Sequence, residues 1–119
     1  TNAYNQVKDW QFKKVQYGHK KEYTLLKDVR QYDDGSVGKT IELSHYGTRI
    51  VTITVMYGLP CHTYVNLGFG YSQSDRDNIN SLLQELEITQ AYVKMKYGSL
   101  WLVNTDGNLV KSLLILEDD

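Results

Sequence analysis

The chain has 119 residues, a formal net charge of −1 and 41% hydrophobic residues, which is the profile of one globular domain with its own core. This charge argues against a general nucleic-acid binder and equally against a polyanionic DNA mimic. The single cysteine, Cys61, excludes an internal disulfide framework and favours a reducing compartment. Neither a membrane-spanning stretch of ~20 apolar residues nor a secretory signal is visible. We therefore expect one soluble domain over residues 1–119, in the cytoplasm of a bacterium or of whatever replicates inside one.

The first third of the chain predicts two strands after a segment of ambiguous structure. Apolar residues within 4–16 have loosely helical spacing, which fits a short N-terminal helix or an extended segment. Residues 22–32 fit neither period, but Asp33-Asp34-Gly35 follows directly and favours a strand there. A second strand is expected over 39–45.

The middle of the chain predicts a hairpin. Residues 49–57 are rich in Ile, Val and Thr, which favour a pleated strand. Gly58-Leu59-Pro60 then forms a turn, and 61–67 returns as the partner strand. Alternation places one set of side chains on the first face, Cys61, Thr63, Val65 and Leu67, and another on the second, His62, Tyr64 and Asn66.

A helix over about residues 75–88 is the clearest prediction. Ser74 is a suitable N-cap, and Asp77 lies at the capping-box position three residues later. One apolar stripe follows at helical spacing, formed by Ile79, Leu82, Leu83 and Leu86.

Three further strands are expected after the helix, at 91–97, 100–104 and 108–116. They are separated by Gly98-Ser99 and by Thr105-Asp106-Gly107, which is a strong turn signal. The acidic residues 117–119 form a solvated tail. The expected class is therefore α+β: an antiparallel sheet of about five to seven strands packed against one main helix.

Catalytic and cofactor motifs are absent from the sequence. Gly68-Phe69-Gly70 precedes a helix but lacks the remaining residues of a phosphate-binding loop. We expect no enzyme activity, no catalytic residues and no cofactor. A small metalloprotein with a site around His45, Cys61 and His62 is one alternative, although the adjacent Cys61 and His62 would point to opposite faces of a strand.

An excess of basic residues marks the N-terminal quarter. Between Lys8 and Arg30 there are seven basic residues against three acidic ones, and Tyr17 and Tyr23 flank the densest part. Such a basic and aromatic face could bind a nucleic-acid backbone weakly, which is a second alternative. The ten tyrosines suit both a half-buried sheet and a protein interface. The residues predicted to bind a protein partner are Tyr17, Lys20, Lys21, Tyr23, Tyr32, Asp33 and Asp34.

A resemblance covers residues 44–107. It rests on His45-Tyr46-Gly47-Thr48 before an aliphatic strand, on the glycine-aromatic and polar run 68–80, and on Leu100-Trp101-Leu102-Val103 before the turn Asp106-Gly107. In these features the chain resembles small accessory proteins encoded by phages and plasmids of Gram-positive bacteria. The tryptophan and Thr-Thr-Lys segment that often follow the glycine element in that family are not found here.

The resemblance implies a viral or mobile-element accessory protein. Proteins of that setting and size are often inhibitors of host defence, so an anti-CRISPR protein that binds a host CRISPR effector nuclease is the expected function. This expectation follows from the class of protein and from no individual residue. Exposed sheet edges add the expectation of a homodimer.

Overall fold

The computed structural model describes residues 2–57 and 61–116, which form two helices and nine strands. The turn predicted at 58–60 and the tail predicted at 117–119 lie outside the described residues. No helix in the described ranges is long and apolar enough to cross a membrane. The elements in chain order are α1 (Asn2–Val7), β1 (Lys13–Gln16), β2 (Tyr23–Gln31), β3 (Val37–His45), β4 (Thr48–Tyr57), β5 (His62–Leu67), α2 (Gln73–Glu85), β6 (Tyr92–Lys96), β7 (Ser99–Val103), β8 (Leu109–Val110) and β9 (Ser112–Leu116).

The strands form two antiparallel sheets. The large sheet has the order β1-β2-β3-β4-β5-β9, and the small sheet has the order β6-β7-β8. Helix α2 contacts β4 of the large sheet and β6 of the small one. The α+β class with one main helix is confirmed, but there are more strands than predicted and they divide between two sheets.

Alternation along the large sheet determines which side chains form the core. Val51, Ile53 and Val55 point inward and are buried, whereas Thr52 and Thr54 point outward. The predicted alternation in β5 is confirmed in the same way, since Thr63 and Val65 are buried and residues 64 and 66 are exposed. The hairpins predicted from 22 to 45 and from 49 to 67 pair in register as β2–β3 and β4–β5.

The prediction of one strand over 108–116 is wrong, because the chain crosses from one sheet to the other at Lys111. The carbonyl of Lys111 accepts a hydrogen bond of 2.9 Å from the N–H of Leu67 at the end of β5. Its Nζ instead donates to Ser99 Oγ, at 2.6 Å, and to the carbonyl of Leu100 in β7. One residue is thus bonded to both sheets, and the strand pattern is divided on either side of it.

The predicted cap of the main helix is wrong by two positions. Ser72 is the N-cap: its Oγ accepts from the N–H of Asp75 at 3.0 Å, and Asp75 Oδ2 lies 3.4 Å from the N–H of Ser72. The helix also ends before residue 88, because Glu87 adopts a left-handed φ of 56°. The apolar stripe is buried as predicted, at Ile79, Leu82, Leu83 and Leu86.

The ambiguous N-terminal segment contains both predicted structures, a short helix and then an extended strand. Helix α1 packs on the large sheet through Ala3 and Val7, and Lys39 of β3 holds its C-terminal end. The buried Nζ of Lys39 donates to the carbonyl of Val7 at 2.8 Å, to that of Trp10 at 3.3 Å and to that of Lys8. A cation suits the carbonyl end of a helix, although burial lowers the pKa of Lys39.

We expect Lys39→Met to loosen this segment, because three carbonyl oxygens lose their donor while the aliphatic stem of the side chain is kept. The free energy of unfolding should fall by about 1–3 kcal/mol. Amide hydrogen exchange over residues 3–16 should accelerate more than exchange in β4. Lys94→Met, at an exposed position of β6, is the matched control. Equal protection of the amides of residues 3–16 from exchange in both variants would contradict the role of Lys39 as an anchor.

Candidate functional site

The buried carboxylate of Asp75 is the centre of the most elaborate polar cluster in the described chain. The Asp75 side chain is 1% exposed. Its Oδ1 accepts from the hydroxyl of Tyr23 at 2.8 Å. Nδ1 of His45 lies 2.8 Å from the same oxygen, within ion-pair distance. Its Oδ2 accepts from the N–H of Tyr71 at 3.2 Å and lies 3.4 Å from the N–H of Ser72. Three hydrogen-bond donors and one imidazole, from three segments, thus converge on one carboxylate.

Strand register explains how the donors meet. Tyr23, at the start of β2, pairs with His45, at the end of β3, and both side chains face inward. Their rings stack with centroids 4.2 Å apart and an interplanar angle of 11°. The first turn of α2 lies against this pair, since the Tyr23 hydroxyl also lies 2.8 Å from Ser74 Oγ.

The donors keep the carboxylate charged in spite of its burial. Burial alone would raise the pKa of Asp75, but hydrogen bonds from Tyr23 and from the N–H groups of Tyr71 and Ser72, together with the nearby charge of His45, outweigh it. The pKa of Asp75 therefore lies below its ordinary value of 3.8. Burial, followed by the interactions with Asp75, raises the pKa of Tyr23, while the contact with Ser74 opposes that change.

A second carboxylate lies on the other side of the imidazole. His45 Nε2 is buried 3.4 Å from Glu22 Oε1, without hydrogen-bond geometry and with no other partner in the described chain. Tyr46 stacks on His45 with ring centroids 4.9 Å apart, and its hydroxyl donates to Glu22 Oε2 at 3.0 Å. The imidazole is thus enclosed by two carboxylates and two tyrosine rings.

This arrangement connects segments and lacks the organisation of a hydrolytic triad. The hydroxyl of Ser74 contacts Tyr23 and Asn78 instead of the imidazole. The hydrogen bond between nucleophile and base that defines such a triad is therefore not formed by Ser74 and His45. What the geometry provides is a rigid link between α2 and the β2–β3 hairpin.

Three exposed aromatic side chains, which we call the aromatic rim, are attached to this link: Tyr46, Phe69 and Tyr71. They are 77%, 77% and 72% exposed. The N–H of Tyr46 donates to the carbonyl of Glu22 at 2.8 Å, and the N–H of Tyr71 donates to Asp75. The backbone that carries each tyrosine is therefore fixed while the side chain remains in solvent.

Glycines on either side of Phe69 fix the third member of the rim. A Cβ on Gly68 would lie 2.1 Å from the carbonyl oxygen of Arg49, and one on Gly70 would lie 3.0 Å from Cδ1 of Leu100. The absence of side chains lets this segment lie directly on β4, where the N–H of Phe69 donates to the Arg49 carbonyl at 3.0 Å. The ring of Phe69 consequently points into solvent.

The predicted partner-binding residues are divided between two ends of the β2–β3 hairpin. Lys20 and Lys21 lie before β2 and, with Tyr46, line a shallow groove of about 550 Å³. Tyr32, Asp33 and Asp34 form the turn at the other end, eight residues further along the strand or about 26 Å away. These two groups therefore do not form one site.

Two of the predicted partner-binding side chains are buried. Tyr23 is 1% exposed and belongs to the Asp75 cluster. Tyr17 is 8% exposed, and its hydroxyl donates to Glu85 Oε1 at 3.1 Å. Burial and the Glu85 carboxylate both raise the pKa of Tyr17. Neither ring is available to stack on a base or to dock against a partner.

The basic residues predicted as one face lie on both faces of the large sheet. Lys13 pairs with Lys27 on the inward side, where Lys27 Nζ lies 5.6 Å from the ring centre of Trp10. Lys14 points to the opposite face, as does Arg30, which pairs with Asp28 at 3.0 Å. The charge counted along the sequence is therefore divided in space.

The residues weighed as metal ligands are also separated. His45 pairs with Thr48 at the start of β4, whereas His62 pairs with Met56 near its end. Eight residues of strand, or about 26 Å, separate the two positions. Residues 2–57 and 61–116 contain no group of three or more His, Cys, Asp or Glu side chains that could hold a metal ion.

Comparison with known proteins adds no relative: no family model, no curated protein and no solved structure matches this chain. The fold and the Asp75 cluster are therefore interpreted from their own geometry. The resemblance over residues 44–107 stays a prediction.

The sequence contains one signal for the Asp75 cluster. Ser72 and Asp75 have capping-box spacing, as do Ser74 and Asp77. The residue type of His45 suggests a metal ligand, and no local pattern predicts its contact with a carboxylate thirty residues later.

The Asp75 cluster should make stability sensitive to acid. Because the pKa of Asp75 is depressed in the folded state, its contribution is complete above the unfolded value near 3.8 and is lost as pH falls through the lower folded value. Asp75→Asn should lower the free energy of unfolding by about 3 kcal/mol at neutral pH. Urea unfolding at a series of pH values should also show a smaller loss of stability at acid pH than in the wild type. Asp77→Asn, at an exposed position of the same helical turn, should lose stability at acid pH as the wild type does. If Asp75→Asn showed the same loss as the wild type, Asp75 would not be the group responsible.

Close contact at Gly68 gives a second prediction. Gly68→Ala should destabilise the fold by about 3 kcal/mol, because the added methyl group meets backbone that cannot move aside cheaply. Phe69→Ala, at the next residue, removes an exposed ring and should change stability by less than about 0.5 kcal/mol. Chemical denaturation of both variants measures the difference, and a neutral Gly68→Ala would mean that the segment is held more loosely.

Proposed function

We propose that this protein acts without catalysis, by binding another protein through the aromatic rim. The observation that carries the proposal is that three large aromatic side chains stay in solvent while their backbone N–H groups are hydrogen-bonded to Glu22, to Arg49 of β4 and to Asp75. Exposed aromatic residues are the side chains most enriched in the central contacts of protein interfaces. A rigid backbone also lowers the entropic cost of docking.

Charge beside the rim indicates the chemistry of the partner. Lys20 and Lys21 line the groove next to Tyr46, where the carboxylate of Glu22 already accepts from the Tyr46 hydroxyl. The exposed Arg49 lies beside Phe69. Complementary charge steers encounter and selects among partners. The partner surface that fits is apolar at its centre and acidic at its margin.

The biological setting that we propose rests on the resemblance alone. It is a phage or mobile-element protein that acts in the cytoplasm of a bacterial host as an anti-CRISPR inhibitor, with a CRISPR effector nuclease as its target. Binding of this kind would be stoichiometric and would need no cofactor. Nucleic-acid binding is the less favoured alternative, since Tyr17 and Tyr23 are buried.

The test is a plasmid-interference assay in bacteria with an active CRISPR system. Expression of the protein should raise the recovery of a targeted plasmid, and the tagged protein should capture the effector in near-equal amounts. A triple variant with Tyr46→Ala, Phe69→Ala and Tyr71→Ala should bind the effector at least roughly 100-fold more weakly and should lose the effect on plasmid recovery.

The small sheet supplies a matched control. Tyr97 is 81% exposed and, like Tyr46, has a left-handed φ before a glycine. A double variant with Tyr92→Ala and Tyr97→Ala should bind the effector and raise plasmid recovery as the wild type does. Unchanged plasmid recovery with the wild-type protein would contradict the anti-CRISPR assignment. A captured partner that binds the triple variant equally well would contradict the aromatic rim as the interface.

A further inference from the structure

Strand β9 forms an open edge of the large sheet that is independent of the aromatic rim. It pairs with β5 on one side, and no strand of the described chain lies on its other side. A notch of about 240 Å³ runs beside it, lined by residues 113–116 of β9 and, from outside the strand, by Gln90, Asn104 and Thr105. The side chains of Leu114 and Leu116 are 47% and 60% exposed.

The hydrogen-bond pattern identifies which backbone groups are directed to the open side. The N–H of Leu67 donates to the carbonyl of Lys111, so residues 67 and 111 form a hydrogen-bonded pair. Because such pairs alternate along an antiparallel ladder, Leu113 and Ile115 also bond to β5. The N–H and C=O groups of Ser112, Leu114 and Leu116 therefore point away from β5, toward a further strand.

Charge distinguishes β9 from the edge strands β1 and β6, and length distinguishes it from β8, an edge of only two residues. The edge strand β1 carries Lys13 and Lys14, and the edge strand β6 carries Lys94 and Lys96. Lysines on an edge oppose pairing with another strand, and in a two-fold pair they would face like charges. Strand β9 has the sequence Ser-Leu-Leu-Ile-Leu, with no charge, proline or glycine.

We propose that β9 pairs with β9 of a second copy of this chain across a two-fold axis, joining two large sheets into one. The axis passes beside Leu114, so that Leu114 faces Leu114 of the other copy and Ser112 faces Leu116. The outward backbone groups of the three even-numbered residues then bond across the junction. Their side chains share the outer face with Tyr64, which pairs with Leu114 in β5–β9 and is 41% exposed.

The size of the edge sets the strength of the dimer. Five residues bury roughly 1,000 Å² or less in total, at the low end of specific interfaces. The dimer should therefore be weak, with a dissociation constant on the order of 10–100 µM. Self-association should be measurable by sedimentation equilibrium up to roughly 500 µM protein.

A charge exchange at the axis tests the geometry. Leu114→Lys and Leu114→Glu each place like charges opposite one another, so each variant alone should dimerise at least roughly 10-fold more weakly. An equimolar mixture should restore association, because lysine then faces glutamate. Tyr92→Lys, an exposed position on the edge of the small sheet, should dimerise as the wild type does.

Each outcome decides the proposal. A wild-type protein that remains monomeric over the whole concentration range overturns the β9–β9 pairing. The open edge would then be available only to a strand of a different protein. A dimer that persists in both charged variants places the interface elsewhere. Recovery of association only in the mixture supports the two-fold pairing, and it does so even if each variant is somewhat less stable.

Discussion

A buried carboxylate is the constraint on which the rest of this structure depends. Removing a charged group from water is costly unless the interior replaces the lost hydrogen bonds. For Asp75 the replacement comes from a strand-end tyrosine and two backbone N–H groups, and a strand-end histidine lies within ion-pair distance. These contacts hold the start of α2, the segment before it and the β2–β3 hairpin against one another, so the cluster specifies geometry as well as contributing energy.

That constraint also explains why local sequence patterns located the helix but not its first residue. The pairs Ser72–Asp75 and Ser74–Asp77 have the same spacing, and each could form a capping box. The choice between them is made by Tyr23 and His45, which lie some thirty to fifty residues earlier in the chain. The apolar stripe on α2 and the alternation in β4 and β5 were predictable because each depends only on its own element.

The division into two sheets has a similar origin. Residues 108–116 satisfy strand periodicity almost throughout, and the contacts that divide them come from Leu67, Ser99 and Leu100. Closeness in sequence does not predict a shared partner site here, because residues 20–21 and 32–34 flank β2 and therefore lie at opposite ends of the strand. The tyrosines presented the same difficulty, because an amphipathic ring suits both the core, as in Tyr23, and the surface, as in Tyr46.

Lys111 belongs to both sheets at once, and this has a consequence for how the protein meets anything large. Its neighbours on the two sides, Val110 and Ser112, already lie in strands of different sheets, so no linker separates them. Rotation of one sheet against the other would break the hydrogen bonds at this residue. A ligand that spans both sheets would therefore meet a surface of fixed shape, and its selection would depend on complementarity with that shape instead of on adaptation by the protein.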